Sequence, residues 1–361
     1  MKKDTVKHSF LLSCTFLGAV IGAGFASGKE LVCFFLPFDK SGIWGILISC
    51  IVLSLCFYSV TRTVGRSNIK NTYDYLVYIA NPFFGRIIYS FVYAFAFVIF
   101  CAMLAGSGAL FKQTLSLPYA AGSFFMCAVC IFIFRKNIYG ILNANAYLAP
   151  AMIFGIFYIG ISVLFKADSV FYEFTDGAKL VCSAFVYSSY NSISIISVFC
   201  EMGDMLKNKK VPVISSVFSA AALFVISLVL YAILLAFKSD AIEFELPILK
   251  IAGSKGMFYS VIMFFAMLTT AVSSLFSLIK FFENEFGAGI NYSYFICLAA
   301  FLCSLMGFSK MVSVVYPLFG YLGIFLIVYI NAKFLSDSVK IKHKKFKNQR
   351  NRAKIGEKQG L

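Results

Sequence analysis

Stretches of roughly 20 apolar residues recur along this chain, and that recurrence decides most of what it can fold into. A bilayer core about 30 Å thick is crossed by about 20 residues of helix at a rise of about 1.5 Å each. No water is present there to bond to free amides and carbonyls, so the crossing segments must be helices. The runs fall at 9–36, 42–60, 87–110, 119–134, 138–165, 180–200, 211–237, 257–282, 290–308 and 311–334. Only Arg135, Lys136 and Asn137 separate the fourth run from the fifth. Charged residues make up 13% of the chain, against about a quarter in a soluble domain, which fits the same solvent. The expected fold class is an all-α polytopic membrane protein of about ten transmembrane helices. One transmembrane domain covers residues 1–335, and a basic tail covers 336–361.

The charges thread the spans. With the N-terminus inside, the inner loops hold Arg62, Arg66, Lys70, Arg86, Arg135, Lys136, Lys207, Lys209 and Lys210, and the basic tail is inside as well. The outer lysines are diluted by Asp168, Glu173, Asp176, Asp240, Glu243 and Glu245. Basic loops stay in the cytoplasm, so both termini are expected there. The net charge of +16 is concentrated after the last apolar run. It therefore points to headgroups of the lipid bilayer rather than to nucleic acid. The first run is too long for a secretory signal and is counted as a span. The eleven cysteines lie scattered through apolar segments and read as small hydrophobes, not as a disulfide or zinc framework.

The first span contains Gly18, Gly22, Gly24 and Gly28 within GAVIGAGFASGKE. Each glycine weakens a helix by about 1 kcal/mol. The spacing Gly18/Gly22 and Gly24/Gly28 also suits close helix packing, and the cluster fits that reading as well as it fits a helix broken around a polar cavity. Lys29 and Glu30 follow, where a charge deep in lipid costs at least about 2.5 kcal/mol. They are read as gating residues facing a vestibule above the break, with snorkelling of Lys29 to the interface as the alternative. Being consecutive, their side chains diverge by about 100° and are not expected to bond each other.

The sixth span is apolar except for Tyr187, Ser188, Ser189, Tyr190, Asn191 and Ser192, with Ser194 and Ser197 beyond. Six such residues in a row cover every helix face, so either some point into a cavity or the helix opens. The eighth span carries Thr269, Thr270, Ser273 and Ser274, oxygens suited to a small cation or to helix–helix hydrogen bonds. Gly106-Ser107-Gly108 allows close approach in the third span, and Asn143, Asn145 and Pro150 interrupt the fifth. Residues 71–85 read as a segment along the inner surface. Residues 238–256, with Glu245-Leu246-Pro247 opening a short apolar stretch, read as a lid or an ordinary connector.

The GAVIGAGFASGKE signature resembles that of the YkvI family of bacterial membrane proteins, with MLAGSGALF and ELPILKIA in support. That family looks like a branch of the amino acid–polyamine–organocation superfamily. The resemblance implies a LeuT-type fold of two inverted five-helix repeats with broken first and sixth helices. It further implies substrate contacts at Gly22, Ala23 and Gly24; Phe25 and Ser27 are expected beside them, with Tyr187, Ser188, Ser189, Tyr190 and Asn191 from the polar block read as a cavity lining. A sodium ion would face the carbonyls of Gly18, Ile21 and Ala266 and the hydroxyls of Thr269 and Thr270. The gating arginine of sodium-coupled relatives is absent, with Gly28 at its place.

The expected function is cation-coupled secondary transport of a small organic solute, such as an amino acid or amine. Sodium or a proton would be the coupling ion, and no other cofactor is implied. The alternative is a non-transporting solute sensor on the same fold. An enzyme is not expected: Ala26-Ser27-Gly28 and Gly106-Ser107-Gly108 resemble intramembrane serine protease motifs, but His8 and His343 both lie outside the spans.

Overall fold

The computed structural model describes residues 2–67, 69–135, 145–164, 176–287 and 292–359. The separator at Lys136 and Asn137, Asn143, and the starts of the fifth and ninth runs lie outside these residues. The described residues are helical and contain no strand. The first crossing is made in three pieces, α1 (Lys2–Val20), α2 (Ala23–Ala26) and α3 (Lys29–Phe34). A 3-10 turn at Leu36–Ser41 leads to α4 (Gly42–Ser67), the short α5 (Thr72–Ala80), α6 (Pro82–Leu115), α7 (Tyr119–Arg135) and α8 (Asn145–Leu164). The second half runs through α9 (Gly177–Phe199), α10 (Lys210–Ala236), the short α11 (Lys238–Glu243) and α12 (Pro247–Ile251), α13 (Gly256–Phe286) and α14 (Tyr292–Ser304). A tenth crossing follows as α15 (Phe308–Lys310), one π-helical stretch at Met311–Val315 and α16 (Tyr316–Gln359). No break marks the expected tail boundary near residue 335, because α16 runs on through it.

Local chemistry sets several of these ends. Asn71 caps α5 by accepting from the Asp74 amide at 2.8 Å, and Asn81 caps α6 by accepting from Phe84 at 3.1 Å. Pro82, with no amide hydrogen to lose, sits at the first position of α6. Asp176 starts α9 by accepting from the amides of Ala178 and Lys179, which hold its carboxyl below the usual range. Large apolar side chains such as Phe83, Phe124, Phe295 and Phe325 face outward, as they can when the solvent is lipid.

Packing follows a five-plus-five pattern. The first crossing packs on the seventh (α1 on α10), as the sixth does on the second (α9 on α4). Likewise α1 meets α8 and α9 meets α16, α10 meets α8 and α4 meets α16, and α6 meets α14 while α13 meets α7. Each pair is carried into its counterpart by stepping five crossings along. The short helices obey the same rule. Helix α5 lies between the second and third crossings beside the end of the sixth, and α11 and α12 lie between the seventh and eighth, with α11 against α3. Thr5 bonds to Asn208, Arg66 to Ser338 and Tyr78 to Asp337, so both chain ends share one end of the bundle, here the terminal side. The other is the distal side.

One expected break is absent. Helix α9 is continuous through Tyr187–Ser192 and gives way only at Cys200–Leu206, a 3-10 segment with Met202 out of helical geometry. The serines, the asparagine and Tyr190 of the polar block find partners without opening the helix, whereas the buried Tyr187 hydroxyl has none. Ser188 donates to Ala184 O at 2.8 Å, Ser192 to Ser188 O at 2.7 Å, and the Asn191 amide to Tyr187 O at 3.0 Å. Hydroxyls that bond back to their own helix carry polarity through lipid at little cost.

Candidate functional site

The first helix breaks where its glycines cluster. After Val20 the chain turns extended at Gly22 (φ −87°, ψ −170°) and re-enters helix at Ala23. A Cβ at Gly22 would meet nothing within 4 Å, so this glycine serves the break and not a packed interface. By the geometry of helix ends, the amides of Ala23, Gly24 and Phe25 have no intrahelical acceptor, nor do the carbonyls of Gly18 and Ala19 have intrahelical donors. A second kink follows at Gly28, whose φ of +83° is left-handed. There Ser27 donates to Gly24 O at 3.0 Å, and its carbonyl accepts from the amide of Ile248 in α12 at 2.9 Å.

Around the break lies a cavity with about 890 Å³ of empty space, counting its mouth. Its walls come from five crossings. The first gives Gly18, Ala19, Val20, Gly22, Ala23, Gly24 and Glu30; α6 gives Val92, Tyr93, Phe95, Ala96, Ile99 and Met103. Helix α9 gives Tyr190, Asn191, Ser194, Ser197 and Val198; α13 gives Thr270, Ser273, Ser274 and Ser277; α16 gives Tyr316. Exposure is graded along the walls. Gly24, Glu30, Tyr190, Asn191 and Tyr316 are buried, whereas Gly18, Tyr93, Ser194, Ser197, Ser273 and Ser277 are partly open. The cavity is therefore entered from the terminal side.

The distal side is sealed in layers. Tyr190 donates its hydroxyl to Glu30 Oε2 at 2.9 Å, while Oε1 presses on Gly24, where a Cβ would stand 2.2 Å away. Above this, Lys29 donates to the carbonyls of Phe244 at 3.0 Å and Ile242 at 3.5 Å, so its charge ends on the segment that closes α11. Tyr259 donates to Ala26 O at 2.8 Å, and Tyr231 donates to the carbonyls of Phe35 and Asp39. Lys238 pairs with Asp39 at the rim. Residues 238–256 thus form a cap over the first helix. Lys29 neither snorkels nor faces an open vestibule in this conformation: it is 7% exposed. As their offset requires, Lys29 and Glu30 leave the helix toward different partners.

Of the residues singled out from sequence, the cavity walls gather Gly18, Gly22, Ala23, Gly24, Glu30, Tyr190, Asn191, Ser194, Ser197, Thr270, Ser273 and Ser274. Others serve packing. Ser188 donates to Ser49 O of α4 and Ser189 to Gly320 O of α16, tying neighbouring helices together. Tyr187 packs edge-on against Phe34 and Phe35, and Phe25 is fully buried. Ile21 is buried, and Thr269 donates to Ala266 O at 3.0 Å, so that pair of oxygens is bonded internally. Phe95, Ala96 and Tyr316 were not legible in the sequence, where they resemble the many apolar residues that face lipid. Among the described residues no group of three or more His, Cys, Asp or Glu side chains could hold a metal ion.

No protein-family model matches the chain. It is 26% identical over 332 residues to the uncharacterised membrane protein YkvI of Bacillus subtilis, covering 88% of this chain and 93% of that one. It is 25% identical over 321 residues to the uncharacterised protein YyaD of the same organism, covering 86% and 93%. Among solved structures it superimposes on MhsT in complex with L-phenylalanine, with a TM-score of 0.60 at 15% identity, covering 88% of this chain and 87% of that one. The chain is a multi-pass membrane protein with the LeuT-type fold, related along nearly its full length to YkvI and YyaD.

Proposed function

We propose that this chain is a cation-coupled secondary transporter that carries a small organic solute through the cavity at the break in its first helix. The observation that carries this reading is the asymmetry of that cavity, layered shut on the distal side and open on the terminal side. Alternating access requires such a chamber beside an interrupted helix, with one repeat free to rock against the other. That MhsT binds an amino acid on this fold supports a small solute. The terminal side carries Arg62, Arg66, Lys70, Arg86, Lys207, Lys209 and Lys210, which favours placing it in the cytoplasm. The structure would then be an inward-facing state.

For coupling, Thr270 and Gly18 share the cavity wall, and Thr269 lies one residue away. Hydroxyls and carbonyls suit sodium without a carboxylate. Purified protein in liposomes should accumulate a labelled solute from a panel of amino acids and amines against its gradient, when sodium or protons are imposed. Thr269→Ala combined with Thr270→Ala should remove sodium dependence. Absence of uptake, exchange and binding across the panel would defeat the proposal; saturable binding without flux would favour a receptor.

A further inference from the structure

We infer that Glu30 is the anchor for a positively charged group on the solute, so that the cavity selects organic amines over amino acids and acids. This deepens the transporter reading and rests on the cavity being the solute site. Among the described residues Glu30 is the sole carboxylic acid in the cavity wall, and no Lys, Arg or His lines it. The residue is 4% exposed, and it has no ion-pair partner among the described residues. Lys29, the nearest cation in sequence, is engaged with the carbonyls of Ile242 and Phe244. The recorded partner of Glu30 is a neutral one, the Tyr190 hydroxyl.

A buried carboxyl held this way is costly unless a cation arrives or a proton stays on it. Its surroundings suit a cation. The Tyr190 ring lies 5.1 Å from that of Tyr316 and 6.0 Å from that of Phe95, and Phe95 and Tyr316 are 5.8 Å apart. Three aromatic residues and one carboxyl lining the same cavity give an ammonium group aromatic surface and a charged acceptor. A solute carboxylate meets the opposite situation. The unpaired amides of the break begin at Ala23 and Gly24, and the space over Gly24 is already filled by Glu30 Oε1. An acid group placed there would crowd the Glu30 carboxyl, and no cationic side chain lines the cavity among the described residues to offset its charge.

The test uses the full-length protein with three probes that share one ring and differ in charge: 2-phenylethylamine, L-phenylalanine and phenylacetate. Putrescine and tetramethylammonium extend the amine set. Thermal stabilisation and direct binding are read for wild type, Glu30→Gln and Glu30→Asp. Gln keeps an oxygen to accept from Tyr190, so the fold should melt unchanged without probe. At least one amine should bind, and phenylalanine and phenylacetate should bind at least about tenfold more weakly than the best amine. Glu30→Gln should weaken that amine by about ten- to a hundredfold, and Glu30→Asp should restore part of the loss. The inference is overturned if phenylalanine binds as well as the best amine, if no amine binds, if Glu30→Gln leaves amine binding intact, or if Glu30 responds to sodium alone. Its failure can be told from that of the transporter reading. Amino acid flux that is equal in wild type and Glu30→Gln removes the anchor and keeps the transporter, whereas Glu30-dependent amine binding without flux does the reverse.

Discussion

At Gly24 the main chain and a charged side chain touch: Glu30 Oε1 lies where a Cβ would have to stand. Only glycine lets the carboxyl rest against the broken helix and still accept from Tyr190. Gly24→Leu should therefore expel the carboxyl from its place and lower solute affinity by at least about tenfold, while the protein still inserts and folds. Binding assays on the purified variant check this, and unchanged affinity would remove Gly24 from the site. The sequence made the glycine cluster and the two charges visible, because both are expensive in a lipid-spanning helix. It could not show that Lys29 turns to the carbonyls of residues 242 and 244, since that contact joins segments more than two hundred positions apart.

At the scale of elements, the first and sixth crossings separate what pattern can reveal from what it cannot. The glycines of the first fit close helix packing as well as a break, and the structure decides between them because a Cβ at Gly22 would meet nothing within 4 Å. The polar block of the sixth looked equally disruptive, but its serines and asparagine bond to carbonyls of their own helix or of α4 and α16, and α9 stays whole. Polarity alone does not open a helix when Ser188, Asn191 and Ser192 find acceptors one turn back and Ser189 finds one on a neighbouring helix. The cap is a marginal element of another kind. Burial pushes the Glu245 carboxyl above the usual carboxylate range, partly offset by the Lys29 charge, and its Oε2 has no hydrogen-bond partner. A carboxyl raised in the closed cap favours the protonated form there, so closure is strongest at acidic pH and weakens as pH rises through the raised value. Hydrogen exchange over residues 238–251 should quicken from acidic to neutral pH beyond the intrinsic chemical rate. Glu245→Gln should flatten that dependence and slow exchange at neutral pH. A variant with an unaltered profile would show that Glu245 does not control the cap.

For the whole molecule, ten crossings were countable from apolar run lengths, and the described helices follow those runs with shifts of a few residues at most ends. Extended ends such as Lys2 and Gln359 exceed the runs because polar, basic helix continues past the apolar residues. Which side chains face one another across the bundle was not legible, because in lipid the outside of a helix is as apolar as its packed face. Helix α6 illustrates this with two alanines: Ala96 lies on the cavity wall, whereas Ala94, two positions before it, is exposed on the outer surface. A tryptophan at each asks directly whether the solute occupies the chamber beside the broken helix. Using whichever labelled solute binds wild type, the account predicts one bound molecule per chain for wild type and for Ala94→Trp, and none for Ala96→Trp. Equal binding by both tryptophan variants would place the solute elsewhere and contradict it.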